Sequence, residues 1–187
     1  MSASSAPTPS PAARSSLERL RALLLDEGGL MTSLVGSASD RAAPPGPAQL
    51  AASGPRAEGS REDYELLIET IYEGYLLHYA KPRVALTSDQ DLGLLAGDRL
   101  YALGLARLVA LGDVAAVVEL ADTISLSALA QGAGEPELAD AVWAAGARAI
   151  GWGSSESHRR AKELVLTGSS EAIEAMRTSA ASPAAPR

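Results

Sequence analysis

The sequence predicts an all-α helical bundle, and three observations carry that prediction. Hydrophobic residues make up 47% of the 187 positions, with leucine and alanine dominating and phenylalanine absent. Leucine and alanine favour helix, whereas strands draw on aromatic and β-branched residues, of which the aromatics number only two Trp and five Tyr. Between Gly- and Pro-rich breaks the apolar residues recur at helical spacing, and the breaks are two to eight residues long. Short connections of that kind join antiparallel neighbours.

The elements follow in order. Met1 to Ala13 is rich in Ser, Ala and Pro and reads as disordered. Ser15-x-x-Glu18 resembles a capping box and opens a short helix to about Leu25, with Leu17, Leu20 and Leu24 on one face. Residues 28–59, with Pro44-Pro-Gly-Pro at their centre, have linker composition. The bundle domain is therefore expected over residues 60–177, with a disordered tail over 178–187.

Ser60-x-x-Asp63 caps a first bundle helix from Glu62 to Tyr79, with Leu66, Leu67, Ile71, Tyr75 and Leu77 inward; Pro82 stops it. Thr87-x-x-Gln90 and Ser88-x-x-Asp91 cap the next, which ends at Gly112. Asp113 caps a helix from Val114 to Gln131, whose Val114, Val117, Val118, Ala121, Ile124 and Ala128 form an apolar stripe expected to face the core. Pro136 opens a helix to about Ile150, with Leu138, Val142, Ala145 and Ala149 inward. Ser154 or Ser155 caps Glu156 to Leu166, and a last short helix covers Glu171 to Arg177.

The segment Leu92 to Leu111 stands out because it is apolar almost all round, with Asp98 among leucines. At about 100° per residue, Gly93, Gly97 and Gly104 share a narrow arc along which another backbone can approach, within the subunit or across a dimer. Asp98 lies on a different face, with Leu105 and Val109. The expectation is a helix buried deep in the bundle, with Asp98 paired by a neighbour such as Lys81, Arg83 or Arg159. Asp98, Arg99 and Arg107 argue against a membrane span, at roughly 2.5–3.5 kcal/mol each at a bilayer centre.

The charge of -7 and the absence of a basic, aromatic-laced stripe exclude a nucleic-acid surface. The lack of cysteine excludes a disulfide framework, thiolate metal sites and a cysteine nucleophile, and is compatible with the cytoplasm. Asp89 and Asp91 could hold a divalent ion, but acids at a helix start also offset its dipole, which is the plainer reading. His78 and His158 lack any metal-ligand or triad spacing and read as surface or helix-terminal histidines. His78, Lys81, Arg83, Arg159 and Arg160 form the groups that could face an anion. No catalytic residue, metal ligand or cofactor is expected from the residues themselves.

Leu95-Ala-Gly-Asp98-Arg-Leu-Tyr-Ala102 resembles the "L-x-G-D-x-L" helix of the trans-isoprenyl (polyprenyl) diphosphate synthases, an all-α family. In order before it, Leu76-Leu-His78 falls where that family has its "L-L-H-D-D" helix end. Catalytic members bind magnesium and diphosphate through two DDxxD motifs. Here Tyr79-Ala80 occupy the place of the first aspartates, and no second motif follows.

The resemblance, over residues 63–131, is closest to the small non-catalytic subunit of heterodimeric heptaprenyl diphosphate synthases. It implies a truncated synthase-like bundle, with Gly93, Gly97, Leu100 and Gly104 at close helix contacts and Asp98 locking the central helix. It also implies a catalytic, magnesium-dependent synthase subunit as partner, or a homodimer. The alternative is a helical adaptor unrelated to prenyl metabolism, docking through the Leu17, Leu20, Leu24 helix.

Overall fold

The computed structural model describes residues 11–36 and 45–181, without the side chains of residues 11–15. Of the segments expected to be disordered, residues 1–10 and 182–187 lie outside the described residues, whereas 11–13 and 178–181 are helical. The protein is an all-α helical bundle. Its helices are α1 Pro11–Glu27, α2 Gly29–Leu34, α3 Pro47–Ala52, α4 Arg61–Tyr79, α5 Gln90–Ala110, α6 Val114–Gly132, α7 Pro136–Trp152, α8 Glu156–Leu166 and α9 Ala172–Ala181, with a 3₁₀ turn at Pro55–Ala57. The chain forms two compact units, one drawn from Met1–Gln49 and Glu65–Leu105, the other from Leu50–Tyr64 and Ala106–Arg187.

In the first unit, Leu20 and Leu24 of α1, Met31 and Leu34 of α2, and Ala96 and Leu100 of α5 share one core with Val84 and Ala85. Val35 and Ala85 form an isolated antiparallel bridge, closed by hydrogen bonds from Gly36 N to Val84 O (3.1 Å) and from Leu86 N to Leu34 O (2.7 Å). Of the two roles open to the Leu17, Leu20, Leu24 helix, docking on the bundle or on a partner, it takes the first and is a core element. Composition misled over the stretch read as linker, within which helices α2 and α3 stand.

The glycine arc of α5 packs within this unit against α4. A Cβ on Gly74 would sit 2.9 Å from the Gly97 carbonyl, and one on Gly97 would be 3.0 Å from the Gly74 carbonyl and would run into the His78 ring. Gly104 meets Ile71 in the same way, with the Leu67 carbonyl at 3.0 Å. Gly93 makes only ordinary contacts, to Thr87 and Leu77.

Because the glycines set which side of α5 faces α4, they also set which side faces away. Leu95 is 59% exposed and the Asp98 side chain 71% exposed, so this helix is not buried all round, and Asp98 does not lock it from inside. Leu100, on the glycine side, is fully buried.

In the second unit, α7 packs against α6 and α9, and α8 packs against α6 and α9. Leu138, Val142, Ala145 and Ala149 of α7 face inward as expected. Asp113 caps α6 through Ala116 N (3.0 Å) and also binds Arg56 (2.6 Å) and the Tyr64 hydroxyl (2.5 Å). These bonds hold the Asp113 carboxyl below its ordinary range although burial opposes them. For Tyr64, burial first and then Asp113 push the hydroxyl up to about 12.

The stripe expected to face the core in α6 lies at its outer side, with Val117, Ile124 and Ala128 half-buried, and Leu120 and Leu126 fill the inner side beside polar residues. Val114 is 72% and Val118 53% exposed, and Ala121 is exposed too, while Glu119, Thr123 and Ser127 are buried. The reason is local. Gly146 of α7 leaves room for the Thr123 side chain, and α8 supplies cationic and imidazole partners for Glu119.

Candidate functional site

Helix α4 carries Glu65, Glu69 and Glu73 four residues apart, which puts three carboxylates on one face. That face is turned inward: Glu69 and Glu73 are fully buried. Glu73 accepts hydrogen bonds from the backbone N–H groups of Arg83 (2.7 Å), Val84 (2.6 Å) and Ala85 (3.0 Å), which fastens the loop after α4. The Arg83 side chain bridges Glu69 (2.6 Å) and Glu73 (3.2 Å) and lies over the Tyr72 ring. Glu65 pairs with Arg19 and accepts from Gln49 (3.3 Å). Burial pushes the Glu69 carboxyl up, only partly offset by Arg83, and Glu73 pushes it the same way.

At the C-terminal end of α4, four of the five tyrosines come together around His78. Tyr72 stacks on Tyr75, Tyr75 meets Tyr79, and His78 lies between Tyr79 and Tyr101. His78 Nε2 approaches the Leu94 carbonyl (3.2 Å) and Asp98 Oδ1 (3.3 Å). Burial, then Tyr79, Tyr75 and Asp98, push the Tyr101 hydroxyl up.

The second unit holds a polar cluster that sequence reasoning missed. His158 is buried rather than at the surface; its Nε2 meets Glu119 (3.2 Å) and its Nδ1 meets the Ser179 hydroxyl (2.9 Å). Lys162 bridges Glu119 (3.0 Å) and Asp122 (2.7 Å). Burial would raise the Glu119 carboxyl, but hydrogen bonds from His158 and Lys162 outweigh it and hold the group down at about 2. Burial would likewise lower the Lys162 ammonium, yet Asp122 and Glu119 keep it raised.

The order Ser179, His158, Glu119 matches that of a nucleophile, base and acid. Ser179, however, lies within α9 and is 4% exposed, so its hydroxyl meets no substrate. The cluster works as a polar fastener between α6, α8 and α9. The signal for it was present: Glu119 and Asp122 are the only charges in α6, and both need partners.

Of the groups expected to face an anion, three are otherwise engaged. Arg83 is committed to two glutamates, Arg159 pairs with Glu156 (2.5 Å), and His78 faces Asp98. Lys81 is exposed, and Arg160 lies exposed on α8 beside Glu156 and Glu163. Asp89 caps α5 through Leu92 N (3.1 Å), and Asp91 is exposed in the first turn.

Among the described residues no three His, Asp or Glu side chains are grouped to hold a metal ion. Among the described residues, the places expected to hold magnesium by resemblance do not fit the ion. Tyr79 and Ala80 offer no carboxylate, and the glutamate row on α4 is occupied by arginines and backbone N–H groups.

Apolar side chains are exposed on α5 and α6. In α5, Leu94 and Leu95 are exposed; in α6, so are Val114, Val118 and Leu129. By length and composition α6 could cross a membrane, with a mean hydropathy of 1.4, yet its inner face is fastened through Glu119 and Asp122 to α8 like that of a core helix. No family model, curated protein or solved structure matches this chain.

Proposed function

We propose that this chain is a non-catalytic helical subunit that pairs with a magnesium-dependent polyprenyl diphosphate synthase and modulates its product. The observation that carries the pairing is the apolar outer face of α6. Its inner face mixes Ala116, Leu120, Leu126 and Ala130 with Glu119, Thr123 and Ser127, and His158 and Lys162 satisfy Glu119, while Val114, Val118 and Leu129 point outward. Exposing apolar residues in this way costs solubility unless another surface covers them.

The synthase as partner is supported by the likeness of Leu95-Ala-Gly-Asp98 and the preceding His78 to that family. The non-catalytic role is supported by Tyr79 and Ala80 standing where the metal-binding aspartates would be. Prenyl transfer needs metal to offset the charge of the leaving diphosphate, so the chemistry falls to the partner.

Co-expression of this chain with the polyprenyl synthase of the same organism tests the reading. A stable complex with a changed product length is expected. Val118→Glu should abolish the complex while leaving the melting temperature of the free subunit unchanged, because the side chain already faces solvent. Absence of any complex, with product length unchanged, would overturn the proposal. Sedimentation with lipid vesicles in place of binding to the synthase would identify α6 as a membrane-surface helix instead.

A further inference from the structure

The outward face of α5 is an apolar stripe with a charge at its centre. At 100° per residue, Asp91, Leu94, Leu95, Ala102 and Leu105 all lie within about 60° of Asp98. Leu94, Leu95 and Ala102 are exposed, Leu105 is half-buried, and the Asp98 side chain is 71% exposed. Among the described residues no lysine or arginine pairs with Asp98; its ionisable neighbour is His78 at 3.3 Å. Arg99, next in sequence, is drawn off to the side by Glu27 (2.7 Å).

A seam of this kind selects its partner by charge. Packing two apolar helix faces together removes water from Asp98, and an acid stripped of water needs a cation opposite it. A second copy of this chain packed face to face at the middle of this stripe would bring the two Asp98 carboxylates together, placing like charges inside the contact. A different helix with a lysine or arginine midway along its apolar stripe would satisfy Asp98 and fix the register, as single polar residues do in helix seams.

We infer that Asp98 is the selectivity residue of the α5 face: it admits an amphipathic helix of another protein with a central basic residue and rejects a second copy of this chain. The inference rests on the reading of this protein as a pairing subunit.

A charge swap on the full chain supplies the probe. The wild type and Asp98→Lys are examined by sedimentation velocity at high micromolar concentration, each alone and mixed in equal amounts. Each alone should run at the monomer mass of 19.2 kDa, and the mixture at twice that mass. Adding Leu95→Glu to either chain should return the mixture to monomer. Asp98→Leu, which removes the repulsion, should self-associate at least tenfold more tightly than the wild type.

A mixture that stays monomeric, or a wild type that dimerises alone and is dissociated by Asp98→Lys, would overturn the inference. Binding to the synthase separates this from the function proposed above. If wild type and Asp98→Lys bind the synthase equally, the selectivity role fails and the pairing stands. If neither binds while the mixture dimerises, the synthase is the wrong partner and the selectivity role stands.

Discussion

Two buried glutamates on different helices respond to pH in opposite senses. The folded chain holds the Glu119 carboxyl at about 2 against an ordinary 4.5. Its contribution to stability is therefore complete above the ordinary value and is lost as pH falls from 4.5 towards 2. Glu69 is raised in the folded state, so its effect runs the other way: stability declines as pH rises from the ordinary carboxylate range through its folded value. Glu119→Gln should lower stability at neutral pH by about 1–3 kcal/mol, because Lys162 and His158 lose a charged acceptor. It should also flatten the fall in melting temperature below pH 4.5. Thermal melts of both proteins across pH 2.5–7 check this, and parallel acid limbs would show that the cluster contributes nothing to acid sensitivity.

At the scale of elements, the ends of α4, α6, α7 and α8 were legible, the cap of α5 (Asp89, not Thr87 or Ser88) and the bounds of α1 and α9 were not, and neither was the direction of two faces. Asp113 and Ser155 cap the helices assigned to them from sequence, and α8 spans the expected residues. For α5, leucine on every side leaves period 3.6 without a direction, and only the glycines reveal which side meets α4. For α6, the apolar stripe pointed the wrong way because its few polar residues found partners on α8, a pairing that separation in sequence hides. The glycine contacts make a sign test possible. Gly97→Ala gains helix propensity of about 1 kcal/mol but drives a Cβ into the His78 ring and towards the Gly74 carbonyl. Overpacking of that kind costs about 1–3 kcal/mol, so a net loss is expected. Gly93→Ala, with its nearest contact at 3.5 Å, keeps the propensity gain and should be neutral or stabilising by up to ~1 kcal/mol. Urea midpoints of the two variants should move in opposite directions; equal shifts would mean that α4 and α5 are not in backbone contact at Gly97.

At the scale of the molecule, the composition of the first third was the poorest guide. Pro, Gly, Ala and Ser read as linker because they lack large apolar side chains, yet small residues also permit close packing. Ala48, Ala51 and Ala57 are fully buried, and a Cβ on Gly54 would run into the backbone of Gly151. The buried leucines of α1 and α2 then bind the N-terminal region into a core with α5. This makes residues before the expected boundary at 60 part of the fold, and removing them is a test of that claim. Deletion of residues 1–59 strips Leu20, Leu23, Leu24, Met31 and Leu34 from the first unit and takes Arg19 from Glu65. Each large apolar side chain contributes roughly 1.5–3 kcal/mol on burial, so five of them rival the roughly 5–15 kcal/mol that holds a whole domain together. The shortened chain should lose its cooperative thermal transition and expose apolar surface, read by circular dichroism and by binding of a hydrophobic dye. A truncated protein that melts cooperatively at the temperature of the full chain would restore the linker reading, because a core that survives the loss of five buried side chains never depended on them.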